Sequence, residues 1–144
     1  ITILRKQENY RLALDGFDPE LIARYDDQKK AELLGNAGIV RNRLKIDSCI
    51  TNARSYLAIL DSGRQFKDYL WDFVEGRPIQ NQFVSIADVP AKTAVSDALS
   101  KRLKADGFKF VGTTICYALM QATGMVNDHL VSCHRHRECA AACP

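Results

Sequence analysis

A chain of 144 residues with 47% hydrophobic and 26% charged residues has the ordinary makeup of a globular protein. At this length it reads as one domain, burying roughly 68–70% of the surface its unfolded form exposes. No apolar run approaches the roughly 18 residues of a membrane span, and Ile1 to Leu4, followed by Arg5, Lys6 and Glu8, is too short and polar for a secretory signal, so a cytoplasmic chain with no membrane partner is expected.

In chain order the pattern is helical almost throughout. Ile3 to Leu14 places Leu4, Tyr10 and Leu14 at helical spacing and stops at Gly16. Asp18-Pro19 is an N-cap followed by proline at the first helical position, leading a short helix with Leu21 and Ile22. Asp26 caps the next helix, through Leu33 and Leu34, with Gly35 as its stop. The strongest period runs from Val40 to about Leu60, where Leu44, Ile46, Cys49, Ile50, Ala53, Leu57 and Leu60 recur at three- and four-residue steps. Phe66 to Val74 is another short apolar-faced helix, closed by Gly76, with Phe66, Leu70, Trp71 and Phe73 as core plugs; base stacking is the rarer use of such a Trp. Arg77 to Lys92, with two prolines and no helical period, is a long connection. Strand-like alternation is nowhere sustained, so the fold class is all-α.

Ala94 to Ala105 is the next helix, with Val95, Ala98, Leu99 and Leu103 on one face. Gly107-Phe108-Lys109-Phe110-Val111-Gly112 follows, and then a second apolar helix from Thr113 to about Thr123. A helix, a tight glycine-bounded turn and a helix make a helix-hairpin-helix layout, at about 94–124. Gly107 can take positive φ and Gly112 can admit close backbone approach. The free amides of the turn and of the following helix start, with the helix dipole, suit a phosphate. Gly107, Lys109, Gly112, Thr113 and Thr114 are therefore the candidate DNA-binding residues, set against the simpler reading that any two packed helices need a glycine turn. Phe108 and Phe110 read as wedges holding the turn to the core.

Net charge is +3, from 20 basic and 17 acidic residues, which by itself selects no partner. The local cluster of Lys101, Arg102, Lys104 and Lys109 around the turn, with Arg135 and Arg137 in the tail, is better suited to phosphates. Of five cysteines, Cys49 and Cys116 lie in apolar helical patterns and read as buried thiols. Cys133, Cys139 and Cys143 crowd the tail beside His129, His134 and His136. The odd count argues against a disulfide framework. His129 and Cys133, four residues apart, fall on one side of a helical turn and make half of a zinc site. Ordinary polar surface explains the pair equally well, and a third option is a helical protein using the Cys/His tail only as a metal clip.

Several stretches resemble the 3-methyladenine DNA glycosylase I family. They are Ser96-Asp97-Ala98-Leu99-Ser100-Lys101, Gly107 through Tyr117, Met120-Gln121-Ala122 and Val126-Asn127-Asp128-His129. Upstream, Arg5-Lys6-Gln7-Glu8-Asn9-Tyr10-Arg11, Phe17-Asp18-Pro19, Asn36-Ala37-Gly38-Ile39-Val40-Arg41, Asn52-Ala53-Arg54 and Tyr69-Leu70-Trp71-Asp72-Phe73-Val74 are similar to the same family. The resemblance implies a helix-hairpin-helix glycosylase fold over residues 1–133, with 134–144 a Cys/His-containing tail. It implies hydrolysis of the N-glycosidic bond of N3-methyladenine in double-stranded DNA by an enzyme that flips the base out of the stack; nothing in the sequence demands more than a monomer. It also implies a structural Zn²⁺ in which His129 and Cys133 are two of four ligands. By the same resemblance Ile1 aligns just after the family's aromatic, acidic and metal-binding N-terminal segment. The catalytic pocket residues and two zinc ligands are thus expected upstream of Ile1, and this chain alone is expected to release little or no base. Asp128 is the one carboxylate to nominate near the hairpin, its plainer role being a turn cap. The competing function is a non-catalytic, zinc-containing helix-hairpin-helix module that binds DNA.

Overall fold

The computed structural model describes residues 1–141; Cys143, one of the tail residues considered as a ligand, lies outside them. The chain falls into two compact units. The first comprises Ile1–Gly63 with Asp106–Phe110, the second Arg64–Ala105 with the residues from Val111 onward.

In the first unit the expected N-terminal helix is two: α1 (Thr2–Arg5) and α2 (Gln7–Ala13), separated at Lys6 by a local loss of helical ψ. A 3-10 turn, Asp15–Phe17, follows, in which all three residues have positive φ. α3 (Pro19–Ala23) starts as its sequence requires, with Asp18 accepting from the Glu20 and Leu21 amides and proline in the first turn. α4 (Asp27–Gly35) is capped by Asp26 through the Lys29 amide. It ends on Asn36 in an extended conformation, and Gly35, expected to be the stop, is its last helical residue.

The long period becomes α5 (Arg43–Asp61), capped by the Asn42 side chain on the Lys45 amide. Its buried line is Ile46, Ile50 and Ala53, joined by Leu14, Ile22, Tyr25, Leu33 and Ile39 in one core. Leu44 and Leu60, assigned to the same stripe by spacing, are exposed at the two ends of the helix. Arg54 Nε donates to the Ala23 carbonyl at 2.9 Å, satisfying an end carbonyl of α3.

The segment entering α5 is tied to α2. Lys6 Nζ donates to the carbonyls of Ala37 and Gly38, Asn9 Nδ2 also reaches the Gly38 carbonyl, and the Val40 amide donates to the Tyr10 hydroxyl. At Gly38 a Cβ would stand 2.9 Å from Asn36 Oδ1 and 3.3 Å from Asn9 Nδ2, so a side chain there would have to displace both of these hydrogen-bonded amides.

The second unit opens with α6 (Phe66–Trp71) and a 3-10 turn, Asp72–Val74, ending at Glu75 and Gly76 with positive φ. The connection that follows holds β1 (Ile79–Gln80) and a 3-10 turn (Ile86–Asp88) closed by a Ser85/Asp88 capping box. α7 (Ala94–Ala105), α8 (Thr113–Ala122), β2 (Val126–Asn127) and α9 (His134–Ala141) complete the unit. β1 and β2 pair in parallel, Ile79 with Val126 and Gln80 with Asn127. Two-residue strands are too short to show alternation, and the molecule is otherwise mostly helical, as expected. Tyr69, Leu70, Leu99, Leu103, Tyr117, Met120 and Met125 are buried here, while Phe66, Trp71 and Phe73 are only half-buried. Among the described residues no helix is long and apolar enough to cross a membrane.

Candidate nucleic-acid interface and the His129–Cys133 pair

α7 starts with a reciprocal cap. The Thr93 amide donates to Ser96 Oγ at 2.9 Å and the Ser96 amide to Thr93 Oγ1 at 3.2 Å. The face α7 turns inward is not the expected Val95, Ala98, Leu99 and Leu103 but Ser96, Leu99, Ser100 and Leu103. Both serines are satisfied, as buried hydroxyls must be. Ser96 Oγ lies 2.9 Å from Thr113 Oγ1 at the start of α8, and Ser100 Oγ donates to the Val111 carbonyl at 2.6 Å. Small hydroxyl residues let two helices approach closely while pinning their register.

Between the helices, Gly107 has φ +92° and Phe110 φ +57°. A Gly107 Cβ would meet Ser55 Oγ at 2.8 Å, so glycine is required there on two counts. The Lys109 amide donates to Asn52 Oδ1 at 2.7 Å and Asn52 Nδ2 donates to the Lys109 carbonyl at 3.1 Å. Phe108 is the buried wedge expected of it, 7% exposed. Phe110 is not a wedge: its left-handed φ turns it outward and leaves it 51% exposed. With Leu44, Asp47, Ser48, Thr51 and Lys109 it lines a groove of 380 Å³ in the first unit.

The five candidate DNA-binding residues thus occupy one continuous stretch with distinct surroundings. Gly107 and Gly112 are half-buried, and the side chains of Lys109 and Thr114 are exposed. Thr113 spends its hydroxyl on Ser96. Gly112 is the N-cap of α8, with φ −62°, ψ 156° and no side-chain cap, so the first amides of α8 have no side-chain acceptor. Space around a Gly112 Cβ is open, with no atom within 4 Å. Of the other cations in the sequence cluster, Arg102 sits 5.8 Å from the centroid of the Tyr69 ring and Arg135 pairs with Glu138 at 2.6 Å.

Asp128 is a hub. Its carboxylate accepts from Asn81 Nδ2 at 2.7 Å, Tyr117 hydroxyl at 2.6 Å and Gln121 Nε2 at 2.8 Å. Burial, then the hydrogen bond to this carboxylate, pushes the Tyr117 hydroxyl well above the ordinary phenol range. Three donors from β1's end and α8 make Asp128 a structural junction, which spacing did not reveal because two of the donors are neutral amides. Trp71 lines a 270 Å³ cavity with Pro78, Gln80, Gln121, Asn127, His129 and others.

The structural zinc expected from the resemblance is corrected by the side-chain geometry. Cys133 Sγ and His129 Nδ1 do come within 3.9 Å, on an irregular turn and not the helical one expected. Among the described residues, however, no group of three or more His, Cys, Asp or Glu side chains converges to hold a metal. The described part of the tail does not complete the pair: His136 Nε2 donates to the Asn81 carbonyl at 2.8 Å, while its own carbonyl accepts from Asn127 Nδ2. The zinc clip and the zinc-containing module lose their footing with it. Cys49, Cys116, Cys133 and Cys139 are free, and burial raises the thiols of Cys49 and Cys116. Cys116 is buried as expected, whereas Cys49 is half-buried.

Comparison with known proteins places these features in a family. A family profile described as methyladenine glycosylase matches residues 1–136. The DNA-3-methyladenine glycosylase 1 of Escherichia coli is 49% identical over 133 residues, spanning 92% of this chain and 71% of that protein. The DNA-3-methyladenine glycosylase of Haemophilus influenzae is 45% identical over 133 residues, 92% of this chain and 72% of its own. Among solved structures, a crystal structure of a 3-methyladenine DNA glycosylase I superposes with a TM-score of 0.90 at 50% identity, over 92% of this chain and 73% of that one. A structure describing 3-methyladenine recognition by the Staphylococcus aureus enzyme superposes at 0.88 with 33% identity, over 92% and 71%.

Proposed function

This chain belongs to the methyladenine glycosylase family, and from that premise we propose that it is a DNA-3-methyladenine glycosylase of base-excision repair. Its substrate is double-stranded DNA carrying N3-methyladenine. The reaction breaks the bond between the base and the sugar C1′: water supplies the new oxygen at C1′, and the base leaves with the bonding electrons. Methylation at N3 makes the base cationic, so it departs readily and the enzyme has more to do in selecting and holding it than in protonating it. The nucleotide must leave the stack to be reached. No strand cleavage accompanies the step.

The observation that carries the DNA half of this reading is the stretch from Gly107 to Thr114. Residues about 94–124 form, in this reading, a helix-hairpin-helix element whose turn amides and uncapped α8 start receive a backbone phosphate, with Lys109 adding charge. Phosphate contacts of this kind set position and affinity and carry no sequence information. Asp128, with three donors on its carboxylate, serves the architecture and not the chemistry. The glycosylase domain is taken as residues 1–133 with a short tail beyond, acting as a monomer in the cytoplasm, where bacterial DNA lies.

The test uses the protein expressed from its complete reading frame and methylated duplex DNA. Free 3-methyladenine is expected, with the strand broken only after alkali. No released base, or strand breakage without alkali, overturns the proposal. Lys109→Ala is expected to weaken binding to every duplex alike and to lower the slope of log affinity against log salt by about 0.9.

A further inference from the structure

The turn between α7 and α8 is gripped by two residues of α5 that lie one helical turn apart, Asn52 and Ser55. Asn52 matches the Lys109 residue in both directions, accepting from its amide at 2.7 Å and donating to its carbonyl at 3.1 Å. A primary amide paired in this way holds a residue as a neighbouring strand would. Both polar atoms of the Asn52 side chain are thereby engaged with Lys109, across 57 residues of sequence. Ser55 closes the other side, its Oγ filling the space a side chain at Gly107 would need.

The bracketed stretch is one that a peptide does not hold by itself. Gly107 and Phe110 are both left-handed, and Phe110 does so against the preference of a bulky residue. It also runs from a buried anchor, Phe108, to an exposed tip, Phe110. Local backbone preference opposes this shape, and Asn52 supplies the long-range restraint that selects it.

We propose that Asn52 is a positioning residue for DNA binding, holding the main chain of the 107–110 turn in the conformation that receives a phosphate. The inference rests on the reading of this turn as the DNA-backbone contact. Asn52 acts through the Lys109 backbone and touches no nucleic acid. Its contribution is pre-organisation: without the bracket the turn populates other shapes, and apparent affinity falls in proportion to the fraction still competent.

The experiment compares Asn52→Ala with Lys109→Ala in the complete protein, titrating undamaged duplex DNA across a range of salt and following hairpin amide exchange and thermal denaturation in parallel. Asn52→Ala is expected to weaken binding about tenfold with an unchanged salt slope, because no cation is removed. Exchange at Lys109 and Phe110 is expected to quicken while α5 stays protected. Lys109→Ala lowers the slope instead. A merely structural role would lower stability and leave the affinity of the folded protein at the parent value, and that result overturns the inference. If Lys109→Ala weakens binding and Asn52→Ala does not, the DNA reading stands and the role of Asn52 falls. If neither changes binding, both fall together. Should the alanine variant lose its helical signal, the smaller change Asn52→Ser, too short to meet both backbone groups, takes its place, and the same results support or overturn the inference.

Discussion

Two glycines five residues apart should respond to alanine differently, one in stability and the other in binding. At Gly107, φ of +92° and an obstacle 2.8 Å from the new Cβ act together. The backbone penalty is on the order of 1–3 kcal/mol, and displacing Ser55 Oγ adds about 1 kcal/mol of overpacking. Gly107→Ala should therefore destabilise the fold by about 2–4 kcal/mol. Gly112 has an ordinary φ of −62° and open space around its Cβ. Gly112→Ala should change stability by less than about 1 kcal/mol, because the gain of roughly 0.4–1 kcal/mol through the unfolded chain is offset by the poorer N-cap that alanine makes for α8. If a phosphate comes up against the start of α8, that same methyl stands in its way, and duplex affinity should drop at least about tenfold, or 1.4 kcal/mol. Urea denaturation followed by circular dichroism gives the first quantity, and fluorescence anisotropy on labelled duplex at fixed salt the second. A Gly112→Ala protein that is stable and binds DNA like the parent would refute the close approach. A Gly107→Ala protein as stable as the parent would refute the strain argument. Adding Ser55→Ala to Gly107→Ala separates the two costs, since it should restore the packing part and none of the backbone part.

Asp128→Ala should cost about 2–4 kcal/mol, because Tyr117 and Asn81 are left without their acceptor inside the fold; a loss under about 1 kcal/mol in urea titration would contradict the junction. The Tyr25 hydroxyl, and after it Lys29, hold the Asp15 carboxyl below the usual carboxylate range. A lowered folded-state value means this contribution is fully present above the unfolded value and disappears as pH falls through the folded one, that is below about pH 4. Tyr25→Phe should therefore show a shallower loss of stability between neutral and acid pH than the parent, and parallel curves would dismiss the pair. Cys116, buried and with its thiol raised, should alkylate far more slowly in the native protein than in urea, as mass spectrometry of timed iodoacetamide reactions would reveal.

Local rules account for much of what the sequence makes legible. Asp18 and Asp26 announce their helices because a cap is made with amides two or three residues away. The middle of the apolar period of α5, Ile46, Ile50 and Ala53, holds because one helix face meets one core, while its ends at Leu44 and Leu60 run past that core. The glycines of the hairpin were visible as glycines, and the stretches around them carried the family resemblance. What sequence could not supply was direction. Phe108 and Phe110 read alike, yet one is buried and the other exposed, because the backbone turns into left-handed φ at Phe110 itself. Spacing put Val95 and Ala98 on the inward face of α7, whereas Ser96 and Ser100 share it with Leu99 and Leu103, since the serines' partners, Thr113 and the Val111 carbonyl, lie across a turn. His129 and Cys133 do meet, but the further ligands a metal would need are not brought to them by the described tail.

Composition, caps and periodicity thus determined that the chain is helical, where most helices begin, and which turn is built for an unusual backbone. Tertiary structure alone decided what holds that turn and what Asp128 does, through hydrogen bonds spanning 57 and 47 residues of chain. Such bonds depend on where two distant segments come to lie, and neither segment carries that information in its own spacing.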